Sequence, residues 1–575
     1  MIKLFRFLKP YWLFIVVVLI LTLIQSLSQL YLPTLMANIV DTGIVSGDTG
    51  YILRLGGLML LVATGGGLCI AGASFFAARV GAGFGRDVRK RLFTHVESFS
   101  LHEFDTVGTA SLITRTTNDI TQVQQVTVMM LVMMAMAPMM AIGGIIMALR
   151  KDQRLSLLIV VVVPVLALVI VLIASAAIPL FKTMQVKLDN LNRVLRERLT
   201  GVRVIRAFNR IDHEKARFNA VNIDLTSTAI KVNRIVAVAM PIMMLAMNLT
   251  TVAIIWFGSK RIDTGAMQVG DLMAFVQYVM QIMFSLLMVT MMFIMVPRAS
   301  VSAVRINQVL DIKPEIVDAG QVKPAGRKRG FLEFRNVSFN YPGAEEAAIK
   351  EISFAAGPGE TTAIIGGTGS GKTTLVNLIL RFYDVDNGSV LVDGTDVREL
   401  SQEELREKIG FVPQKAVLFS GTISENIRYG KDDATDEEVA RATKTAQAKD
   451  FVTAMDDGFD SVIAQDGTNI SGGQKQRLSI ARALVRKPEI YIFDDSFSAL
   501  DFKTDANLRE ALKKETSEST VLIVAQRVTT VMDADRIIVL DDGKISGMGT
   551  HRELMEESAV YREIVYSQLS AEEIA

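Results

Sequence analysis

From Leu155 to Phe181 the chain runs without one charged side chain. About 20 helical residues suffice to cross a bilayer core, so this stretch reads as a membrane span. Five more stretches share its character. The six are placed at 12–36, 55–78, 128–149, 155–181, 235–259 and 272–297. None carries an acidic residue or a histidine, the groups that ion-coupled transporters keep inside the membrane as relays. If such a chain moves a solute, its energy is expected to come from elsewhere.

The connections between spans are uneven. Arg79–Thr127 and Lys182–Arg234 are each about 50 residues, polar and helix-prone, whereas the other turns are short. Two long connections on one side predict helices that run well beyond the bilayer. Lys3, Arg6 and Lys9 precede the first span, and Arg86, Arg89, Lys90, Arg91, Arg196, Arg198, Arg203 and Arg206 lie in the long connections. That bias predicts both termini and both long connections in the cytoplasm, in a multi-pass protein of the cell (inner) membrane. "RKDQR", 150–154, breaks the rule on the predicted outer side. "IKLFRFLK" reads either as an interfacial elbow helix or as a solvated N-terminus.

Mean hydropathy is +0.35 and net charge is +1, which excludes any charge-based case for a nucleic-acid partner. Cys69 is the only cysteine, so no disulfide can form within the chain. The N-terminal run shows no small-residue cleavage site. The chain divides into a six-helix transmembrane domain at 1–300, a linker at 301–330 and a nucleotide-binding domain at 331–575. In the linker, "PRASVSAVRINQVLDIKPEI" continues the sixth helix, and the basic "VKPAGRKRG" reads as solvated chain.

The second domain opens with strand patterns. After the buried run "TTAIIG" comes "GGTGSGKTT", Gly366, Gly367, Thr368, Gly369, Ser370, Gly371, Lys372, Thr373 and Thr374, followed by an apolar helix. This fits G-x-x-x-x-G-K-[ST], a loop whose N–H groups cradle phosphates. Lys372 would reach the β- and γ-phosphates, and Thr373 would hold Mg²⁺. Tyr341 offers a ring for a base, and Gln414 a polar group for Mg²⁺. Ser471, Gly472, Gly473 and Gln474 open a second helix, another N-terminus suited to phosphate. Asp494 ends the strand "EIYIF" and would meet Mg²⁺ through water. "SALD", Ser498 to Asp501, follows.

In this order the segments resemble an ATP-binding-cassette ATPase. With six spans before them, the whole chain resembles an ABC exporter half-transporter. The resemblance implies an α-helical membrane domain, six transmembrane helices with long cytoplasmic extensions, followed by an α/β phosphate-loop ABC ATPase domain. It implies ATP and Mg²⁺ as cofactors, membrane lipids as surroundings and a second half-transporter subunit as partner. Each ATP would lie between one chain's phosphate loop and the other's SGGQ segment. The stretches 104–120 and 198–218 would carry domain closure to the membrane.

Two positions depart from the family pattern. Asp495 stands where the family carries its catalytic glutamate, and Gln526 where it carries a histidine. Asp is one methylene shorter, and an error of about 1 Å can cost on the order of 100-fold in rate. Gln526 can donate to a γ-phosphate but cannot become cationic. His95, His102, His213 and His551 all lie elsewhere in the sequence. A degenerate phosphate-loop site with an intact SGGQ segment resembles the degenerate-site subunit of bacterial heterodimeric multidrug exporters. The alternative is a slow homodimer. "AQDGTNI", 464–470, also departs from the family's Glu-Arg-Gly stretch. Of 28 methionines, 18 fall in 129–140, 240–247 and 273–295, a composition that suits a cavity for amphipathic compounds and equally suits packing. Gln277, Gln281 and Asn248 would add polar contacts in that cavity or bond neighbouring helices. The competing functions are export of lipid or peptide, and a nucleotide-sensing regulatory subunit.

Overall fold

The computed structural model describes residues 1–318 and 329–569. Most of the basic run 322–330 lies outside the described residues. Among the described residues six helices are long and apolar enough to cross a membrane: α1 (Ile2–Ile44), α2 (Thr49–Glu97), α3 (Thr109–Lys151), α4 (Leu157–Thr200), α5 (Ile211–Asp263) and α6 (Val269–Leu310). In lipid a backbone must satisfy its own hydrogen bonds, which is why each apolar run is helical throughout. Their lengths, 42 to 53 residues, correspond to about 63–80 Å, at least twice a bilayer core. The helices therefore extend well past the lipid, as the long polar connections require.

The chain packs as two compact units, Met1–Glu97 with Thr109–Ile312, and Ser98–Gly108 with Lys313–Ala575. In the first unit a core forms around Phe275, Tyr278, Ile282, Met140, Met243 and Met283. Several methionines thus pack inside, while Met134, Met244 and Met291 are exposed. Gln281 donates to the Gln29 carbonyl at 3.1 Å, so it bonds α6 to α1. A π-helical turn, Arg115–Asp119, interrupts α3. There the buried Asp119 accepts from Arg305 Nε at 2.8 Å and from Ser302 Oγ at 2.8 Å. This pair joins α3 to the extension of α6.

The second unit contains the short helix Leu101–Val107, capped by Ser100 and Glu103. Glu103 also accepts from the Glu315 N–H at 2.8 Å. Its strands are β1 (Leu332–Phe339), β2 (Ile349–Ala356), β3 (Thr361–Gly366), β4 (Asn387–Val392), β5 (Thr395–Asp396), β6 (Ile409–Val412), β7 (Gly421–Thr422), β8 (Val462–Ile463), β9 (Ile490–Asp494), β10 (Thr520–Val524), β11 (Arg536–Asp541) and β12 (Lys544–Gly549). One sheet has the order β2-β1-β4-β5, a second the order β12-β11-β3-β10-β9-β6, and β7 pairs with β8. In the six-stranded sheet every pairing except β11–β12 is parallel. Parallel strands are covered on both faces and read as unbroken apolar runs. Accordingly β9 and β10 are buried at every residue. Side chains alternate between two cores: Ile364, Leu522 and Val524 face one, Ile365, Val521 and Ile523 the other.

Candidate functional site

In an open parallel sheet the carboxyl ends of the strands form a ligand crevice. Four adjacent strands, β3, β10, β9 and β6, deliver the candidate residues to that edge. The phosphate loop follows β3, Gln526 follows β10, Asp494 and Asp495 end β9, and Gln414 follows β6. Together they line a cavity of about 380 Å³ with Tyr341, Ala348, Thr368, Gly369, Gly371, Lys372, Thr373, Thr374 and Val524.

The loop is shaped by what glycine permits. Gly371 has φ 99°, and a Cβ there would lie 2.8 Å from the Ala348 carbonyl. A Cβ on Gly366 would lie 2.2 Å from the Leu540 carbonyl. Helix α7 (Lys372–Ile379) begins directly behind the loop and aims its N-terminus into the cavity. The Lys372 ammonium donates to the carbonyls of Gly366 at 2.9 Å and Gly367 at 2.7 Å. Burial pushes its pKa down, against the charges of Asp495 and Asp494. Gly366, Gly367 and Ser370, also of the loop, hold this lysine through the two carbonyls and the Ser370 hydroxyl at 3.4 Å.

Asp494 is 3 % exposed. Burial raises its carboxyl pKa and the Asp495 charge adds to this, while a hydrogen bond from Thr373 and the charge of Lys372 oppose it. A divalent cation would relieve that buried negative charge. Carboxylate, hydroxyl and amide oxygens line the same cavity at Asp494, Thr373 and Gln414, a donor set that suits a hard ion such as Mg²⁺. These residues fit the group.

Asp495 sits in the left-handed region, φ 45°, where Asp is among the few tolerated residues. Its N–H donates to the Val524 carbonyl at 2.8 Å, so the backbone is pinned. Its carboxylate accepts from Gln414 Nε2 at 3.2 Å. Gln526 lines the cavity from the end of the neighbouring parallel strand β10, and its carbonyl accepts from Gln568 at 2.8 Å. His551 does not substitute for it, since its Nδ1 pairs with the Tyr561 hydroxyl at 2.8 Å. Tyr341 is half-buried, edge-on to Phe339 and Tyr383, with its hydroxyl 3.2 Å from Thr374 Oγ1.

The remaining candidates do not join this cavity. Ser471 caps α8 (Gly472–Val485) and forms a reciprocal box with Gln474: the Ser471 N–H donates to Gln474 Oε1 at 2.8 Å, and the Gln474 N–H to Ser471 Oγ at 3.3 Å. Gly472 faces open space, and a Cβ on Gly473 would lie 3.1 Å from the Ala499 carbonyl. Asp501 caps α9 (Phe502–Glu515) through the Thr504 N–H at 3.0 Å, which holds its carboxyl below the usual range. Ser498 Oγ donates to the Asp495 carbonyl at 2.9 Å. Sequence reasoning missed Arg527, whose guanidinium donates to the Ser498 carbonyl at 3.0 Å and ties the Gln526 loop to this turn. Its adjacency to Gln526 was the available signal.

Six lipid-length helices joined to a phosphate-loop sheet define a membrane transport chain driven by ATP. Residues 15–286 match the family model described as ABC transporter transmembrane region, and 349–498 the one described as ABC transporter. An uncharacterized ABC transporter ATP-binding protein of Mycobacterium tuberculosis is 44% identical over 97% of each chain. Another from Bacillus subtilis is 41% identical over 99% of each. A solved bacterial Atm1-family ABC exporter with ATP bound matches with a TM-score of 0.81 and 25% identity over 97% of this chain and 98% of that one. The chain belongs to the ABC transporter family and is an exporter half-transporter: a multi-pass, ATP-binding membrane protein.

Proposed function

We propose that this chain is one subunit of a heterodimeric exporter, holding a slow ATP site on its own phosphate loop and completing a competent site on its partner. The observation that carries this reading is the pairing of Asp495 and Gln526 at one cavity with an unaltered Ser471–Gln474 segment outside it. Phosphoryl transfer needs a positioned water and stabilised charge. With the Asp495 backbone pinned by Val524, its carboxylate falls roughly 1.5 Å short of a glutamate's reach. Gln526 cannot supply positive charge. Binding is intact in this reading: Lys372 and the loop N–H groups take the phosphates, Tyr341 the base, and Thr373, Gln414 and Asp494 a Mg²⁺ ion, which would neutralise charge on the transferred group.

The short helix Leu101–Val107 overlaps the start of 104–120, and Val202–Ala207 lies within 198–218, the stretches assigned to carrying closure toward the spans. Both termini and these helices lie in the cytoplasm and the short turns outside. The cargo is an amphipathic or hydrophobic small molecule, accommodated by flexible methionines, of which several are exposed. Relatives named for multidrug export in Bacillus subtilis (32% identical) and as a lipid A-core flippase in Desulfotalea psychrophila (33%) frame that range. Lipid export is the second reading.

The test is turnover of the purified lone chain in lipid. The natural sequence should hydrolyse ATP about 100-fold more slowly than Asp495→Glu with Gln526→His. Equal turnover in the two would sink the proposal.

A further inference from the structure

At the end of the membrane unit opposite the long connections, α3 and α5 finish beside the turn "RKDQR", and a cavity of about 630 Å³ opens there. Ile146, Leu149, Arg150, Lys151, Asp152, Gln153, Arg154, Arg261 and Ala266 form its wall, four cations against one carboxylate. Asp152, with its side chain 3 % exposed, accepts from Arg261 Nε at 2.5 Å and from the Leu155 N–H at 2.8 Å. Lys151 pairs with Asp271 at 2.5 Å. Arg150 and Arg154 are exposed, and neither side chain makes an ion pair or hydrogen bond among the described residues.

Helix C-termini attract cations, which accounts for Arg150, Lys151 and Arg261 near the last turns of α3 and α5. It does not account for Arg154, which follows the helix end. Depth supplies a second argument. The apolar span of α3 ends at Leu149, one residue before Arg150. On α5, Trp256 is 61% exposed with the Lys260 ammonium 5.3 Å from its ring, the arrangement of an interfacial anchor. Trp256 precedes Arg261 by five residues, about 7.5 Å along a helix. Two independent helices thus place the cavity at head-group level. Below it, Ile146 and Leu149 are 47% and 45% exposed, an apolar floor under a basic rim.

We infer that this cavity binds a phosphate-bearing anion, with Arg150 and Arg154 as its free guanidiniums. A planar guanidinium matches phosphate oxygens in pairs. The same chemistry is offered by an anionic lipid head group, whose chains the floor would meet, and by a free phosphate. Assigning the cavity to the outer leaflet rests on the orientation given above.

The test uses the full chain in detergent, with native mass spectrometry reading retained phosphatidylglycerol against phosphatidylcholine. Wild type should prefer phosphatidylglycerol by on the order of 30-fold, and Arg150→Gln with Arg154→Gln should bring the two lipids near parity. Arg150→Lys with Arg154→Lys, which keeps the charge, should retain part of the preference. Competition by millimolar inorganic phosphate would assign the site to free phosphate; no competition assigns it to lipid. A preference unchanged by the Gln pair, with circular dichroism confirming that the variant is folded, overturns the inference. Orientation is read separately: Gln153→Cys in a Cys69→Ser background should react with an impermeant maleimide from outside. Labelling only from the cytoplasm would reverse the leaflet and leave the lipid result standing.

Discussion

The phosphate-loop cavity and the Ser471–Gln474 helix start are built in different ways. The cavity gathers side chains from the ends of four strands, and what they can do depends on length and charge at each position. The helix start offers backbone N–H groups, arranged by one local capping box. Substitutions at 495 and 526 alter the first and leave the second as it is. The two regions can therefore change independently, which a division of labour between two ATP sites requires. In that division this chain's binding parts and its SGGQ segment stay useful while its own hydrolytic positions drift.

The largest effect should come from breaking the helix start. In the complex of this chain with its partner subunit, Gly473→Glu should lower steady-state ATP turnover by on the order of 100-fold or more, as loss of preorganised charge stabilisation does. A Cβ there already approaches the Ala499 carbonyl, and the added carboxylate would repel the partner's nucleotide. Asp495→Asn in the same complex should leave turnover near wild type. The reverse pattern would exchange the roles of the two regions.

A smaller effect should follow at the cavity's rim. Tyr341 is half-buried, and its ring is already steadied by Phe339 and Tyr383. Tyr341→Ala removes one stacking face and should weaken ATP binding to this chain's site by roughly 2- to 10-fold, read by equilibrium dialysis of the lone chain. Phe in its place should restore most of the affinity, because the ring rather than the hydroxyl does the stacking. If Phe binds as poorly as Ala, the Thr374 hydrogen bond carries the contribution instead.

Features set by local pattern were legible in the sequence. Apolar length marked the six helices, since lipid leaves such runs no other backbone solution. The spacing of Gly366, Gly371, Lys372 and Thr373 marked the loop, and Ser471 to Gln474 marked the start of a second helix. Features set by distant register were not legible. Gln414 reaches Asp495 across 81 positions, and Asp119 meets Arg305 across 186. Neither contact follows from periodicity, because it depends on how strands β6 and β9, or helices α3 and α6, line up. The grouping of Ser98–Gly108 with the second unit was hidden for the same reason: the Glu103 to Glu315 link spans 212 residues. The hydrogen bond from the Asp495 N–H to the Val524 carbonyl was also invisible, because it depends on the register of β9 against β10.

The subtlest consequence concerns the order of events rather than the rate. Every group assigned to binding at this chain's cavity is present: Lys372 held by loop carbonyls, Thr373 beside Asp494, Tyr341 at the rim. Both departures lie where water and γ-phosphate would meet. ATP at this site should therefore bind normally and persist through several turnovers of the other site. Persistent ATP would keep the two ATPase domains in contact between strokes, so each site would feel the other's state, a coupling of about 1–3 kcal/mol in typical cases. Trapped or photolabelled nucleotide at this site, followed during steady turnover, should outlive that at the partner's site. Asp495→Glu with Gln526→His should bring the two lifetimes together while changing steady turnover little. Equal lifetimes in the natural complex would erase the distinction between the two sites, and the slow homodimer would become the better description.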